Sequence, residues 1–190
     1  MKYSLYIAGT LAVMSTIASA QNANDAYTAQ AGTHIGRVFI GDTRAAVGRR
    51  LGKPTRTLTL RRSLISQVWR SKRVGDTGTY NTVEVVYRKG IVSQIEATSL
   101  AFKTPGGFSL ASPRARWERS YGTPSVSTYS YATGKYLRKR YLDWKSRGIA
   151  LELVEEGGDT EASPTSWVYQ TLIVHRKGVP VLADVGGTPQ

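Results

Sequence analysis

The sequence predicts an α+β protein made of two tandem helix-plus-antiparallel-sheet repeats. Three features predict it: a segment that recurs at a fixed offset, runs of strand character behind each copy, and a turn-rich stretch between them. Ile40–Pro54, IGDTRAAVGRRLGKP, returns as Leu110–Pro124, LASPRARWERSYGTP. A shift of 70 residues lays Gly52 on Gly122, and with it Arg44 on Arg114, Val47 on Trp117, Leu51 on Tyr121 and Pro54 on Pro124.

Each copy spells a short helix. Asp42 or Ser112 can cap its start by accepting from a free backbone N–H, and Pro113 suits the first helical position, where a missing N–H is not felt. Val47 and Leu51, or Trp117 and Tyr121, stand four apart and share one face. Gly52 or Gly122 can turn left-handed just past the end, and the proline two residues on stops continuation.

Behind the first helix, Thr55–Leu60, Leu64–Ser71, Thr82–Arg88 and Ile91–Thr98 read as strands, rich in β-branched and aromatic residues with near-alternating polarity. Arg88-Lys89-Gly90 is short enough to be a hairpin turn. Leu100–Gly107, ending Pro-Gly-Gly, reads as the link between copies. The second copy repeats the order with Ser125–Tyr131, Tyr136–Trp144, Gly148–Glu155 and Ser166–His175. One short helix cannot cover both faces of such a meander, so the two sheets are expected to join or to face a common groove. The implied division is a signal peptide over 1–20, a disordered leader over 21–33, repeat units over 34–104 and 105–178, and a flexible tail over 179–190.

The signal peptide rests on Lys2, an apolar run through Ile17 and the small-x-small ending Ala18-Ser19-Ala20. It implies a secreted or periplasmic protein. No later segment is apolar enough to span a bilayer. The chain has no cysteine, so neither a disulfide nor a lipid-modified cysteine is available, and burial alone must stabilise a mature chain of about 170 residues, which is long enough for that.

Charge is the strongest compositional signal, with 26 Lys and Arg against 13 Asp and Glu, a net of +13. Arg37–Arg73 holds 11 basic residues and one acid, Asp42, and Arg114–Arg147 holds nine basic residues and two acids, Glu118 and Asp143. Such fields favour anionic envelope polymers or lipids, with peripheral membrane contact, and nucleic acid less so. Arg61, Arg62, Trp69, Arg70, Arg73, Arg138, Arg140 and Trp144 lie on or beside predicted strands and form the candidate binding set, a basic sheet surface expected to meet an anionic or protein partner. Guanidinium groups make paired bonds to phosphate or carboxylate, and indoles add stacking. Strand alternation also allows the opposite arrangement, with aromatics inward and arginines on the solvated face.

Little in the sequence points to catalysis, a cofactor or a metal. His34 and His175 read as surface residues. Asp76-Thr77-Gly78 matches a protease signature only once, and nothing in the spacing picks a second carboxylate from Asp42, Asp143 or Asp159. Glu152, Glu155, Glu156, Asp159 and Glu161 do not follow a calcium-loop spacing and read as a solvated loop. A non-enzymatic protein is the expectation.

The helix, Leu51-Gly52-Lys53-Pro54, the strand with Trp69, and Val83–Val92 together resemble the small outer-membrane lipoprotein family (SmpA/OmlA) that includes the E subunit of the β-barrel assembly machine. Two such units in tandem resemble the secreted β-lactamase inhibitor protein fold. The likeness covers about His34–Lys177, and it implies a binding module that docks another envelope or secreted protein, or alternatively an inhibitor of a β-lactamase-like enzyme. The lipidated cysteine of the first family and the cysteine cross-links and acidic contact residues of the second are missing here, so no contact residue carries over. Binding to polyanions or nucleic acid without sequence preference is a further alternative.

Overall fold

The computed structural model describes residues 26–61, 63–71, 81–130, 138–157 and 165–183. The signal peptide, Arg62, Arg73 and the Asp76–Gly78 motif lie outside them. The elements run β1 (Ala29–Gln30), β2 (His34–Ile35), β3 (Val38–Phe39), α1 (Arg44–Leu51), β4 (Arg56–Arg61), β5 (Leu64–Arg70), β6 (Thr82–Arg88), β7 (Ile91–Ala97), α2 (Arg114–Tyr121), β8 (Ser125–Ser130), β9 (Arg138–Trp144), β10 (Ile149–Gly157) and β11 (Thr165–His175). The α+β class holds, with strands dominant.

Both helices are eight residues long and end as their sequences require. Gly52 (φ 76°) and Gly122 (φ 85°) each adopt a backbone that L side chains disfavour. Their N–H groups close onto Gly48 O and Glu118 O. The starts differ from expectation. Thr43, not Asp42, caps α1, accepting from Ala46 N at 3.2 Å. Asp42 instead accepts from Phe39 N at 2.9 Å and pairs with Arg50. Pro113 precedes α2 without a side-chain cap, because Ser112 Oγ is taken by Ser109 N at 3.1 Å.

The eight long strands form one sheet in the order β4-β5-β6-β7-β11-β10-β9-β8, and every pairing is antiparallel. The sheets of the front and back halves therefore join, through β7 and β11. Alternation then sorts side chains into two faces. Trp69, Val83, Ala97, Leu172, Leu151 and Leu142 stand in one cross-strand row. That row and the one beside it, with Val85, Ile95, Val174, Ile149 and Trp144, form the main core together with Val47 of α1 and Trp117 of α2. Both helices thus cover the same face.

A small sheet in the order β1-β2-β3 and the link over 98–113 contribute Ala29, Ile35, Val38, Phe102, Phe108 and Leu110 to the same core. This layer is tied down by Ala29 N donating to Lys103 O (2.8 Å) and Gly32 N to Gly148 O (2.9 Å). Part of the expected leader, from residue 26, is therefore packed structure. Its small residues fit because they approach backbone closely: a Cβ on Gly148 would lie 2.7 Å from Gly32 Cα. Among the described residues no helix is long and apolar enough to cross a membrane.

Candidate functional site

The two faces of the sheet differ in how their charges are balanced. On the covered side, the helices turn Arg44, Arg49, Arg50 and Lys53, then Arg114, Arg116 and Arg119, towards solvent. Local acids answer part of this charge. Arg50 pairs with Asp42 and Arg114 Nε with Glu118 Oε1 at 2.7 Å. Arg116 lies over the Phe108 ring, 4.9 Å from its centroid. Arg49 and Arg119 occupy the last turn of their helices, where a cation also meets the negative end of the helix dipole.

The opposite face carries Glu84, Glu96 and Glu152 together with Arg56, Arg70 and Lys139. Glu84 and Glu96 stand directly across from each other on β6 and β7, a placement that brings their Cβ atoms within about 5 Å. Ser66 Oγ donates to Glu84, and Gln94 Nε2 donates to Glu96 Oε1 at 2.7 Å. Glu152 on β10 is answered more fully, by Tyr141 Oη at 2.6 Å and Lys139 Nζ at 3.2 Å. Burial, followed by the charges of Glu84 and Glu152, pushes the Glu96 carboxyl up to about 8 against the pull of Gln94 and Lys139. Burial raises Glu84 as well, with Glu152 adding to it and Ser66, Lys139 and Arg56 opposing. Near neutral pH the facing pair therefore holds a proton.

The chain beyond β11 lies on this second face. Val181 N donates to Asp143 Oδ2 (3.0 Å), Leu182 N to Gln94 Oε1 (2.8 Å), and Gln94 Nε2 to Leu182 O (3.1 Å). Val181 and Ala183 pack on Tyr141, Ala150 and Ile173. The tail expected from residue 179 is thus held as far as residue 183. His175, expected at the surface, is 1 % exposed, with Nε2 3.0 Å from Asp143 Oδ1 and Nδ1 3.2 Å from Arg176 O. Its neighbours explain the difference. The β7–β11 junction puts it at the centre of the sheet, and the chain after it folds back on top.

The candidate set from the sequence is dispersed. Trp69 and Trp144 lie under the helices, and each indole donates to the carbonyl of the glycine ending its half's helix: Trp69 Nε1 to Gly52 O (3.2 Å), Trp144 Nε1 to Gly122 O (2.5 Å). Arg138 and Arg140 share Trp144's side of β9. Arg138 makes a two-pronged pair with Glu155 (2.6 and 2.5 Å), and Arg140 stacks over Trp167 at 4.0 Å. Arg70 is exposed at the end of β5, its backbone N–H bonded to Thr55 Oγ1. Arg61 closes β4. The structure brings Arg138 and Arg140 together around Trp167, apart from Arg70. The helix arginines were missing from the candidate set although Arg49 and Arg119 fall 70 residues apart, the offset that relates the helices. The facing glutamates had no such signal.

Among the described residues no group of three or more His, Asp or Glu stands close enough to hold a metal ion. No family model matches the chain, and no curated protein and no solved structure is significantly similar to it.

Proposed function

We propose that the chain is a non-enzymatic binding protein of the secreted or periplasmic space, which meets an anionic envelope surface through the outward side of its two helices. The observation that carries this reading is a concentration of cations: seven exposed Arg and Lys on α1, α2 and the Lys53 turn share the helix side with only Asp42 and Glu118 paired to them, whereas on the other face Glu84, Glu96 and Glu152 offset Arg56, Arg70 and Lys139. A net charge of +13 spread evenly would be weakly attractive in every direction. Concentrated on the two helices, it orients the molecule towards a polyanion.

We also propose that the two halves are tandem copies of one unit in the manner of the β-lactamase inhibitor fold. Support comes from the 70-residue recurrence, the mirrored strand order about β7–β11 and the repeated indole-to-glycine hydrogen bond. Duplication then explains why Arg49 and Arg119 take equivalent places.

Co-sedimentation with vesicles containing phosphatidylglycerol tests the reading. Binding is expected at low salt and should fade at several hundred millimolar, where screening is nearly complete within a few ångströms. Arg49→Glu with Arg119→Glu should weaken it at least ~10-fold, since each cation near an anionic surface contributes about 1 kcal/mol. Binding that ignores both salt and the charge reversal would refute the proposal.

A further inference from the structure

The eight-stranded sheet has two free edges, β4 and β8, and they are protected unequally. An unpaired edge offers a row of backbone N–H and C=O groups to any passing strand, and proteins blunt such edges with charge or with a bulge. On β4 both devices are present. Its sequence, RTLTLR, begins and ends in arginine, and its register with β5 shifts between Thr59 and Arg61.

Neither device occurs on β8. Its sequence, SVSTYS, has no charge and no proline, and its pairing with β9 runs without a break from Ser125↔Asp143 to Ser130↔Arg138. Val126 is 51 % and Tyr129 39 % exposed. The cations on the neighbouring strand are engaged away from the edge. Lys139 is paired with Glu152 and Arg138 with Glu155, both on β10, and Arg140 lies over Trp167 on β11. In a chain of net charge +13, β8 has no cation of its own, and the described cations of β9 are engaged with partners across the sheet.

We propose that β8 pairs antiparallel with β8 of a second copy of this chain, extending two eight-stranded sheets into one. A two-fold axis perpendicular to the sheet satisfies the geometry. It keeps the faces aligned, so residues pair with partners of like parity, for example Ser127 with Ser127 and Val126 with Thr128 of the partner subunit. Such an interface is self-complementary and closes at two copies. It also turns the helices of both copies to the same side.

Sedimentation equilibrium across concentration tests this on the full mature chain. The native protein is expected to be dimeric at tens of micromolar, with added salt favouring the dimer because it screens the net charge. Thr128→Lys and, separately, Ser127→Lys should give monomers, shifting the dissociation constant at least ~10-fold, while Thr59→Lys on β4 should leave the dimer intact. Hydrogen exchange supplies a readout independent of variant folding: β8 amides should gain protection as the native protein is concentrated, and β4 amides should not. A native protein that stays monomeric to several hundred micromolar overturns the proposal, as does a dimer that both β8 lysines leave untouched. Protection of β8 that appears only when an unrelated extended peptide is added also overturns it, by assigning the edge to a different occupant.

Discussion

Trp144→Ala should lower the unfolding free energy by about 3–5 kcal/mol, the range for removing a large aromatic from a packed interior. The indole is 2 % exposed and packs against both Trp117 and Tyr121, with ring centroids 6.0 Å away in each case. Truncation would open a void under α2 and also take the donor from Gly122 O. The same bond in the front half is made by Trp69, which is only half-buried. Trp69→Ala should therefore cost distinctly less. Phenylalanine substitutions separate packing from hydrogen bonding. Trp144→Phe orphans the glycine carbonyl, whereas Trp117→Phe removes an indole whose Nε1 has no hydrogen-bond partner. Urea unfolding midpoints with unchanged slopes would give this order directly. Equal losses for Trp69→Ala and Trp144→Ala would mean that α2 is no more firmly seated than α1.

Glu96→Gln should change how stability depends on pH. A carboxyl raised to about 8 in the folded chain, against about 4.3 when unfolded, binds more protons folded than unfolded between those values. Stability contributed by this group is therefore fully present below about pH 4.3 and is lost as pH rises through 8. Its origin is burial of the carboxyl opposite Glu84 and near Glu152. Glutamine keeps the shape and the bond from Gln94 without a charge. The variant should be more stable than the native chain by about 1 kcal/mol at pH 5 and by about 5 kcal/mol at pH 8.5. Subtracting the native curve from the variant curve removes the other groups titrating in this range. Parallel curves from pH 5 to 8.5 would show that Glu96 ionises as an ordinary surface carboxylate.

The helices and long strands were legible because local rules wrote them. Gly52 and Gly122 mark the helix ends, and period-two alternation marks Val83–Tyr87. What escaped depends on register or on partners distant in the chain. The hairpin after Arg88 pairs Tyr87 with Val92, and continued evenly it would set Glu84 against Ile95. A register shift between Val86 and Tyr87 sets Glu84 against Glu96 instead. One residue of slip moves side chains from one face to the other, and nothing in the composition around Ser93 announces it. The burial of His175 escapes local rules for a related reason, because it comes from Asp143, 32 positions earlier, and from the returning chain at Val181. Proximity to a strand in the sequence marks arginines without regard to which of them reach solvent. Half of the exposed arginines among the described residues stand on the two helices, whose inward positions are taken by Val47 and Trp117.

Chemical-shift mapping with a short heparin fragment tests most directly whether the helix side is the anion-binding surface. The expected result is a set of perturbations confined to α1, α2 and the Lys53 turn, saturating together and fading as salt rises. Perturbations centred on the Glu84–Glu96 face, or scattered over the whole surface with no common saturation, would contradict it.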